Sequence, residues 1–182
     1  MLGDVMAELT QAQEGFVLHW GEMGSKWGVN RTVAQIHALL FLSSEPLPME
    51  AIAQTLSVAR SNVSNSLREL QRWGVVKVIH VMGDRRDHYE GIRDVWEMIR
   101  IILDERKKRE FDPTLTVLRE LAATAKESGP KDTDTHERLA EMLNFFESIA
   151  SWYSQIRRLP TGSVIKIVKM GDKIKGLFGI GS

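Results

Sequence analysis

"SVARSNVSNSLRELQRWG", residues 57–74, is the stretch whose reading decides the fold. It has the length of a helix, yet Ser61, Asn62, Ser64, Asn65 and Ser66 crowd into two turns. Such side chains compete for backbone hydrogen bonds and are mediocre helix formers. On a wheel of roughly 100° per residue, Val63, Leu67 and Leu70 gather on one side. Ser61, Asn65, Arg68 and Arg72 gather opposite, with Asn62, Ser64 and Glu69 flanking them. Burial of one face can hold a helix of weak propensity, which leaves the other free for a partner. Gly74 is placed to end the helix as a left-handed C-cap. Ala59 stands where Ser, Thr, Asp or Asn would be the expected N-cap.

Upstream, "PMEAIAQTL" (48–56) reads as a short helix with Pro48 as its first residue. "SSEPLP" reads as a turn. Before it, Asn30 is a candidate N-cap for a helix burying Val33, Ile36, Leu39 and Leu40. A first helix is predicted from about residue 4 to 23, from the spacing of Val5, Met6, Leu9, Phe16, Val17, Trp20 and Met23. Downstream of Gly74 the period changes. "VVKVIHV" is β-branched and reads as a strand, "MGDRRD" as a turn, and "DHYEGI" as the returning strand. Three helices followed by a two-stranded ribbon make a winged helix-turn-helix.

The remainder is helical by pattern. Asp94 is placed to cap "VWEMIRIILDERKKREF", and Asp112-Pro113 reads as a fresh helix start. Asp134 with Glu137 resembles a capping box. The helix after it carries Leu139, Met142, Leu143, Phe146, Ile149, Tyr153 and Ile156, close to a heptad seam. The fold class expected is mainly α: a winged helix-turn-helix with a two-stranded wing and a helical dimerisation region. The boundaries expected are 1–29 for an N-terminal dimerisation helix, 30–93 for the winged domain, and 94–182 for a helical dimerisation and effector region with a basic tail.

Acids and bases balance at 24 each, so net charge does not select a partner, but distribution does. Residues 57–86 hold six bases (Arg60, Arg68, Arg72, Lys77, Arg85, Arg86) against Glu69 and Asp84, whereas residues 1–56 are acidic. A basic patch on a neutral chain suits an anionic partner. The sequence has no cysteine, which excludes disulfide and thiolate chemistry. Acidic residues rather than basic ones sit at the N-terminus, unlike a secretory signal, and no apolar run nears the ~20 residues that span a bilayer. A cytoplasmic location is the expectation.

Major-groove readout rewards the outward face of residues 60–72. Recognition helices read base edges with their first turns, where Asn pairs with adenine and Ser bonds several bases. Arg60 and the free N–H groups of the first turn suit phosphates. Arg85 and Arg86 fall at the wing tip, with Lys77 and Arg72 nearer its base. Double-stranded DNA is therefore the expected partner, contacted by Arg60, Ser61, Asn62, Ser64, Asn65, Arg68, Arg72, Lys77, Arg85 and Arg86. Operator half-sites pair through two-fold symmetry, so a homodimer is expected, with residues 1–23 and 133–180 contributing most of its interface.

The stretches "NRTVAQIHALLFLSSEPLPMEAIAQTL", "ARSNVSNSLRELQRWGVV", "MGDRRDHYE" and "VWEMIRIILDERKKREFDPTL" resemble the GbsR-type branch of the MarR superfamily of bacterial and archaeal regulators. The resemblance covers residues 1–120; the last third matches only in helical pattern. It implies a homodimer whose winged helix binds operator DNA as a repressor, and some members respond to quaternary ammonium osmoprotectants. It also implies that Ser61, Asn62, Ser64, Asn65 and Arg68 lie on the base-reading face and Arg85 and Arg86 on the wing.

Other chemistry is weaker. Trp20, Trp27, Trp96, Trp152 and Tyr153 flank the winged domain and would hold a quaternary ammonium effector by cation–π attraction, although core and interface packing is the commoner use of such rings. The five histidines match no metal or catalytic spacing, and neither "GIGS" nor "GEMGSKWG" matches a nucleotide fingerprint, so no enzyme, metal or cofactor is expected. Asp84, Asp87, His88 and Glu90 read as hairpin residues rather than metal ligands. Lys166, Lys169, Lys173 and Lys175 among Ile165, Ile167, Val168, Ile174, Leu177 and Phe178 form a basic amphipathic tail. Such a tail can lie on an anionic membrane but more often packs on its own protein. A winged helix serving only protein contacts, or a membrane-surface adaptor, are the rival readings.

Overall fold

The computed structural model describes residues 9–128 and 133–170. The chain divides into two compact units, Met1–Ile102 and Leu103–Ser182. In the first unit α1 (Gln11–Lys26) packs on α2 (Arg31–Leu42), followed by β1 (Leu47–Pro48), α3 (Met49–Thr55), α4 (Arg60–Trp73), β2 (Val76–His80) and β3 (Asp87–Gly91). A helix α5 (Val95–Arg106) crosses the division, and the second unit holds α6 (Asp112–Glu127), α7 (Thr133–Arg157) and α8 (Thr161–Lys169).

Helix α1 begins at Gln11, later than the apolar spacing predicts. Thr10 closes a capping box, its Oγ1 accepting from the Gln13 N–H at 3.3 Å while Gln13 Oε1 accepts from the Thr10 N–H at 2.9 Å. Val5 and Met6 lie outside the described residues. Helices α1 and α2 approach closely because α1 carries Gly24: a methyl placed there would lie 2.5 Å from Ala34 Cβ. Asn30 caps α2 as expected, its Oδ1 accepting from Thr32 N at 2.8 Å and Val33 N at 3.4 Å. Ile36 and Leu40 of α2, Ile52 of α3, and Val63, Leu67 and Leu70 of α4 are the centre of the first unit's core.

Two local readings change. Leu47 and Pro48 add a third strand: β1 pairs with β3 (Leu47 with Tyr89, Pro48 with His88), and β3 pairs with β2. Pro48 therefore ends that edge strand and caps α3 instead of opening the helix, consistent with the confinement of proline to sheet edges. Asp112-Pro113 opens α6 with proline in its first turn, as expected, but Asp112 is not a cap and the helix follows the preceding turn without a break. A π-helical turn, Lys107–Phe111, joins α5 to α6, and Asp112 keeps helical φ and ψ of −63° and −42°. Proline lacks an N–H and crowds the carbonyl four residues back; the widened turn immediately before it accommodates both. The Lys107 ammonium spans the turn to Asp112 Oδ1 at 2.5 Å.

Asp134 and Glu137 form no capping box. Asp134 lies inside α7 and pairs with Arg138, Nε to Oδ2 3.3 Å. Asp94 does cap α5, accepting from Trp96 N at 2.8 Å and Glu97 N at 3.1 Å. Among the described residues no helix is long and apolar enough to cross a membrane. Of the basic tail, α8 carries Lys166 and Lys169; Lys173, Lys175, Ile174, Leu177, Phe178 and the final "GIGS" lie outside the described residues.

Candidate nucleic-acid interface

Helix α4 takes its orientation from its buried side. Val63, Leu67 and Leu70 are at most 1% exposed, and Ser66 is buried beside them. Docking those residues turns Ser61, Asn62, Asn65, Arg68 and Arg72 outward, all exposed, with Ser64 half-buried. Arg68 Nη2 donates to Ser64 Oγ at 3.2 Å, and Arg72 Nε donates to the Arg68 carbonyl at 3.3 Å. Gly74 ends the helix at φ 81°, the left-handed cap that turns the chain into the wing. Ala59 occupies the N-cap with extended φ and ψ (−63°, 140°) and makes no capping bond, so the N–H groups of the first turn lack a side-chain acceptor from that position.

A polar concavity of about 380 Å³ runs along this helix, lined by Asn62, Asn65, Arg68 and Arg72 and closed by Asn30 and Thr32 at the start of α2. The two α2 residues are about thirty positions away in sequence, and only the α2–α4 packing brings them here. No local pattern could have revealed them.

The wing turn is built around Asp84. Gly83 takes φ 86°. Asp84 Oδ1 accepts from the Arg86 N–H at 2.9 Å, and Asp84 Oδ2 accepts from Arg86 Nη2 at 2.7 Å. These bonds with Arg86 hold the Asp84 carboxyl down to a pKa of about 2. His88 is buried under the turn: Nδ1–H donates to the Arg86 carbonyl at 3.1 Å, and Nε2 lies 3.6 Å from Asp84 Oδ2. Arg85 is exposed beside this arrangement. At the base of the wing, Lys77 pairs with Glu90 at 3.5 Å.

The ten basic and polar residues expected to meet DNA therefore differ in state. Arg60 is ion-paired with Glu50 of α3, Lys77 with Glu90 and Arg86 with Asp84. Among the described residues no carboxylate pairs with Arg68, Arg72 or Arg85. A phosphate must compete with a carboxylate for the first three, whereas the second three need no exchange. Glu50 is the partner that the sequence pattern missed; an acidic residue ten positions before Arg60 carries no signal until α3 and α4 pack together.

The aromatic set is divided between the two units, Trp20, Trp27 and Trp96 in the first and Trp152 and Tyr153 in the second. Trp20 stacks on Phe16 (centroids 5.2 Å) and approaches His37 (6.2 Å). Trp27 is exposed at the end of α1, Trp96 is half-buried on α5, and Trp152 is exposed on α7. Tyr153 donates its hydroxyl to Asp104 at 2.5 Å and lines an apolar groove with Leu103, Phe111, Phe146 and Ile149 that contains none of the four tryptophans. Among the described residues no three His, Asp or Glu side chains group as metal ligands; His88 faces Asp84 at the wing turn, Asp87 lies 3.7 Å from His80, and Glu90 pairs with Lys77 at the base of the wing.

Comparison with known proteins agrees with this geometry. A family model described as "MarR family" matches residues 27–87. The chain is 19% identical over 94 residues to YvaV of Bacillus subtilis (strain 168), a candidate HTH-type transcriptional regulator, covering 52% of this chain; the chain spans about half that relative's length, 53%. A solved structure described as that of a transcriptional regulator superposes with a TM-score of 0.53 at 20% identity, covering 79% of this chain and 99% of that one. It shares the fold. The matched segment runs from the end of α1 to the first residue of β3 and takes in the helices and the wing of the winged helix-turn-helix described above.

Proposed function

We propose that this chain is a sequence-specific DNA-binding transcriptional regulator of the GbsR-type branch, acting in the cytoplasm as a homodimeric repressor that blocks polymerase access. The observation that carries the reading is the outward face of α4: Ser61, Asn62 and Asn65 stand exposed in its first turns, with Arg68 and Arg72 beyond them and Arg85 on the wing. That is base-reading chemistry flanked by phosphate-binding chemistry. The described relatives are named as regulators of transcription, and the reading includes no enzymatic activity. Response to a small-molecule effector belongs to the proposal through the family resemblance. Trp20, Trp27, Trp96, Trp152 and Tyr153 are the rings from which this reading draws the cation–π partners of a quaternary ammonium effector.

The test is a gel shift of the full chain on the DNA upstream of its own gene across a salt series. Specific retention with a steep salt dependence is expected. Asn65→Ala should weaken the operator complex more than the random-DNA complex; equal weakening of both rules out base reading at that position. Arg85→Ala should lower the slope of log K against log salt by ~0.9, the signature of one lost phosphate contact. No affinity for any DNA leaves the winged helix as a protein-contact module.

A further inference from the structure

His88 is the second residue of β3 and is 7% exposed, tucked beneath the wing turn. Each of its ring nitrogens faces an acceptor. Nδ1 lies 3.1 Å from the Arg86 carbonyl, and Nε2 lies 3.6 Å from Asp84 Oδ2. A carbonyl only accepts, so Nδ1 carries the hydrogen. A neutral imidazole has one hydrogen to give, which leaves the Nε2 lone pair turned toward a carboxylate. Both contacts are attractive only in the imidazolium. The same Oδ2 also accepts from Arg86, Nη2 at 2.7 Å and Nε at 3.0 Å. Asp84 thus stands between two side chains that can each bring it positive charge. His88 is buried, whereas Arg86 is exposed on the wing.

We propose that His88 is a positioning residue for Arg86: as an imidazolium it takes over Asp84 when Arg86 turns to a DNA phosphate, so that the wing binds DNA with uptake of a proton. The proposal rests on the DNA-binding reading above and adds the regulation of that site by pH. Without DNA the Asp84–Arg86 pair persists in either state of His88. Drawing the guanidinium away leaves the Asp84 carboxylate beside a phosphate with no cation between them, and like charges repel. A proton on His88 Nε2 removes that cost. Asp84 Oδ1 keeps its bond from the Arg86 backbone N–H at 2.9 Å, so the turn holds its path while the guanidinium swings out. Other titratable groups around β3 do not offer this exchange. On β2, His80 and Lys77 face Asp87 and Glu90, and Arg93 after β3 also faces Glu90. On α3, Glu50 is held by Arg60. Strand β1 has only Leu47 and Pro48, and Arg85 is exposed in the turn. Helix α2 meets β3 where Gly91 passes the backbone of Leu40 and Phe41. Its titratable groups are Arg31, in its first turn, and His37, which burial keeps neutral down to about pH 4. Linkage is reciprocal: if DNA favours the proton, the proton favours DNA by the same factor.

The test uses the full chain and the DNA upstream of its own gene, at about pH 8 and about pH 5.5, within the range where imidazoles change charge. Affinity should rise about fivefold or more as pH falls, and calorimetry in buffers of different ionisation heat should show proton uptake on binding. His88→Gln should lose both effects. His80→Gln should keep both, since that ring is exposed on β2. Asp84→Asn keeps an oxygen for the Arg86 N–H and loses its charge. It should bind as tightly at the higher pH as the wild type does at the lower. A wild-type affinity flat with pH overturns the proposal. So does a rise that survives His88→Gln or disappears in His80→Gln. If His88→Gln does not fold, a rise that survives Asp84→Asn overturns it instead. A second arm needs no DNA. Nuclear magnetic resonance follows the His88 ring over the same range. Arg86→Gln should move its titration to higher pH, and Arg85→Gln, which removes a like charge from the same turn, should move it less. Equal movement, or none, overturns the coupling of His88 to Arg86. A wild type that binds no DNA at either pH overturns the function proposed above and the proton uptake with it, while the ring titration still reports whether His88 and Arg86 share Asp84.

Discussion

Asp84 holds Arg86 at the wing turn twice, through the Arg86 backbone N–H at 2.9 Å and through its guanidinium at 2.7 Å. One carboxylate thus sets both the path of the turn and the place of a cation expected to meet DNA. Asp84→Ala should speed hydrogen exchange at the Arg86 amide and broaden the wing resonances in nuclear magnetic resonance, while α4 amides keep their protection. The carboxyl's pKa of about 2, lowered by its bonds with Arg86, fixes the pH window. The pair is fully formed above the ordinary carboxyl range, near pH 4, and is lost as pH falls through about 2. Wing protection should follow that curve.

His37 behaves in the opposite chemical sense with the same outcome at low pH. It is 5% exposed on α2, its Nε2 has no hydrogen-bond partner among the described residues, and burial lowers its pKa from 6.5 to about 4. The unfolded chain binds the proton first, so stability is intact above pH 6.5 and declines as pH falls toward 4, by about 3 kcal/mol in all. His37→Leu should flatten that limb in denaturant titrations run from pH 7 to pH 4.

Gly24 and Gly15 lie on the same helix and should respond oppositely to a side chain. Gly24→Val pushes against Ala34 at the α1–α2 crossing and should destabilise the first unit by about 1–3 kcal/mol. A methyl placed at Gly15 meets nothing within 4 Å among the described residues, so Gly15→Ala should stabilise by about 0.5–1 kcal/mol through helix propensity alone. Thermal melts of the two variants check this directly.

Ala59 already has the backbone conformation of an N-cap and lacks only the acceptor. Ala59→Ser should stabilise the chain by about 1 kcal/mol and protect the Ser61 amide from exchange. It also places an oxygen at the first turn, where we expect a phosphate. Affinity for DNA should therefore fall even as the melting temperature rises.

The sequence by itself determined the elements whose causes are local. Asn30, Asp94 and Gly74 cap because a side-chain oxygen or a left-handed glycine acts within a few residues. The spacing of Val63, Leu67 and Leu70 fixed which side of α4 is buried, and so which side carries Ser61, Asn65, Arg68 and Arg72. Tertiary structure decided whatever depends on groups distant in the chain. It gave Leu47–Pro48 a strand partner in β3, joined α5 to α6 through a widened turn just before Pro113, and paired Arg60 with Glu50. It also set Asn30 and Thr32 beside the recognition face and spent most of the α7 seam on α6, leaving Phe145 and Trp152 outside. Periodicity shows that a helix has an apolar side, but which neighbour covers it is settled only when separate elements compete to bury their surfaces.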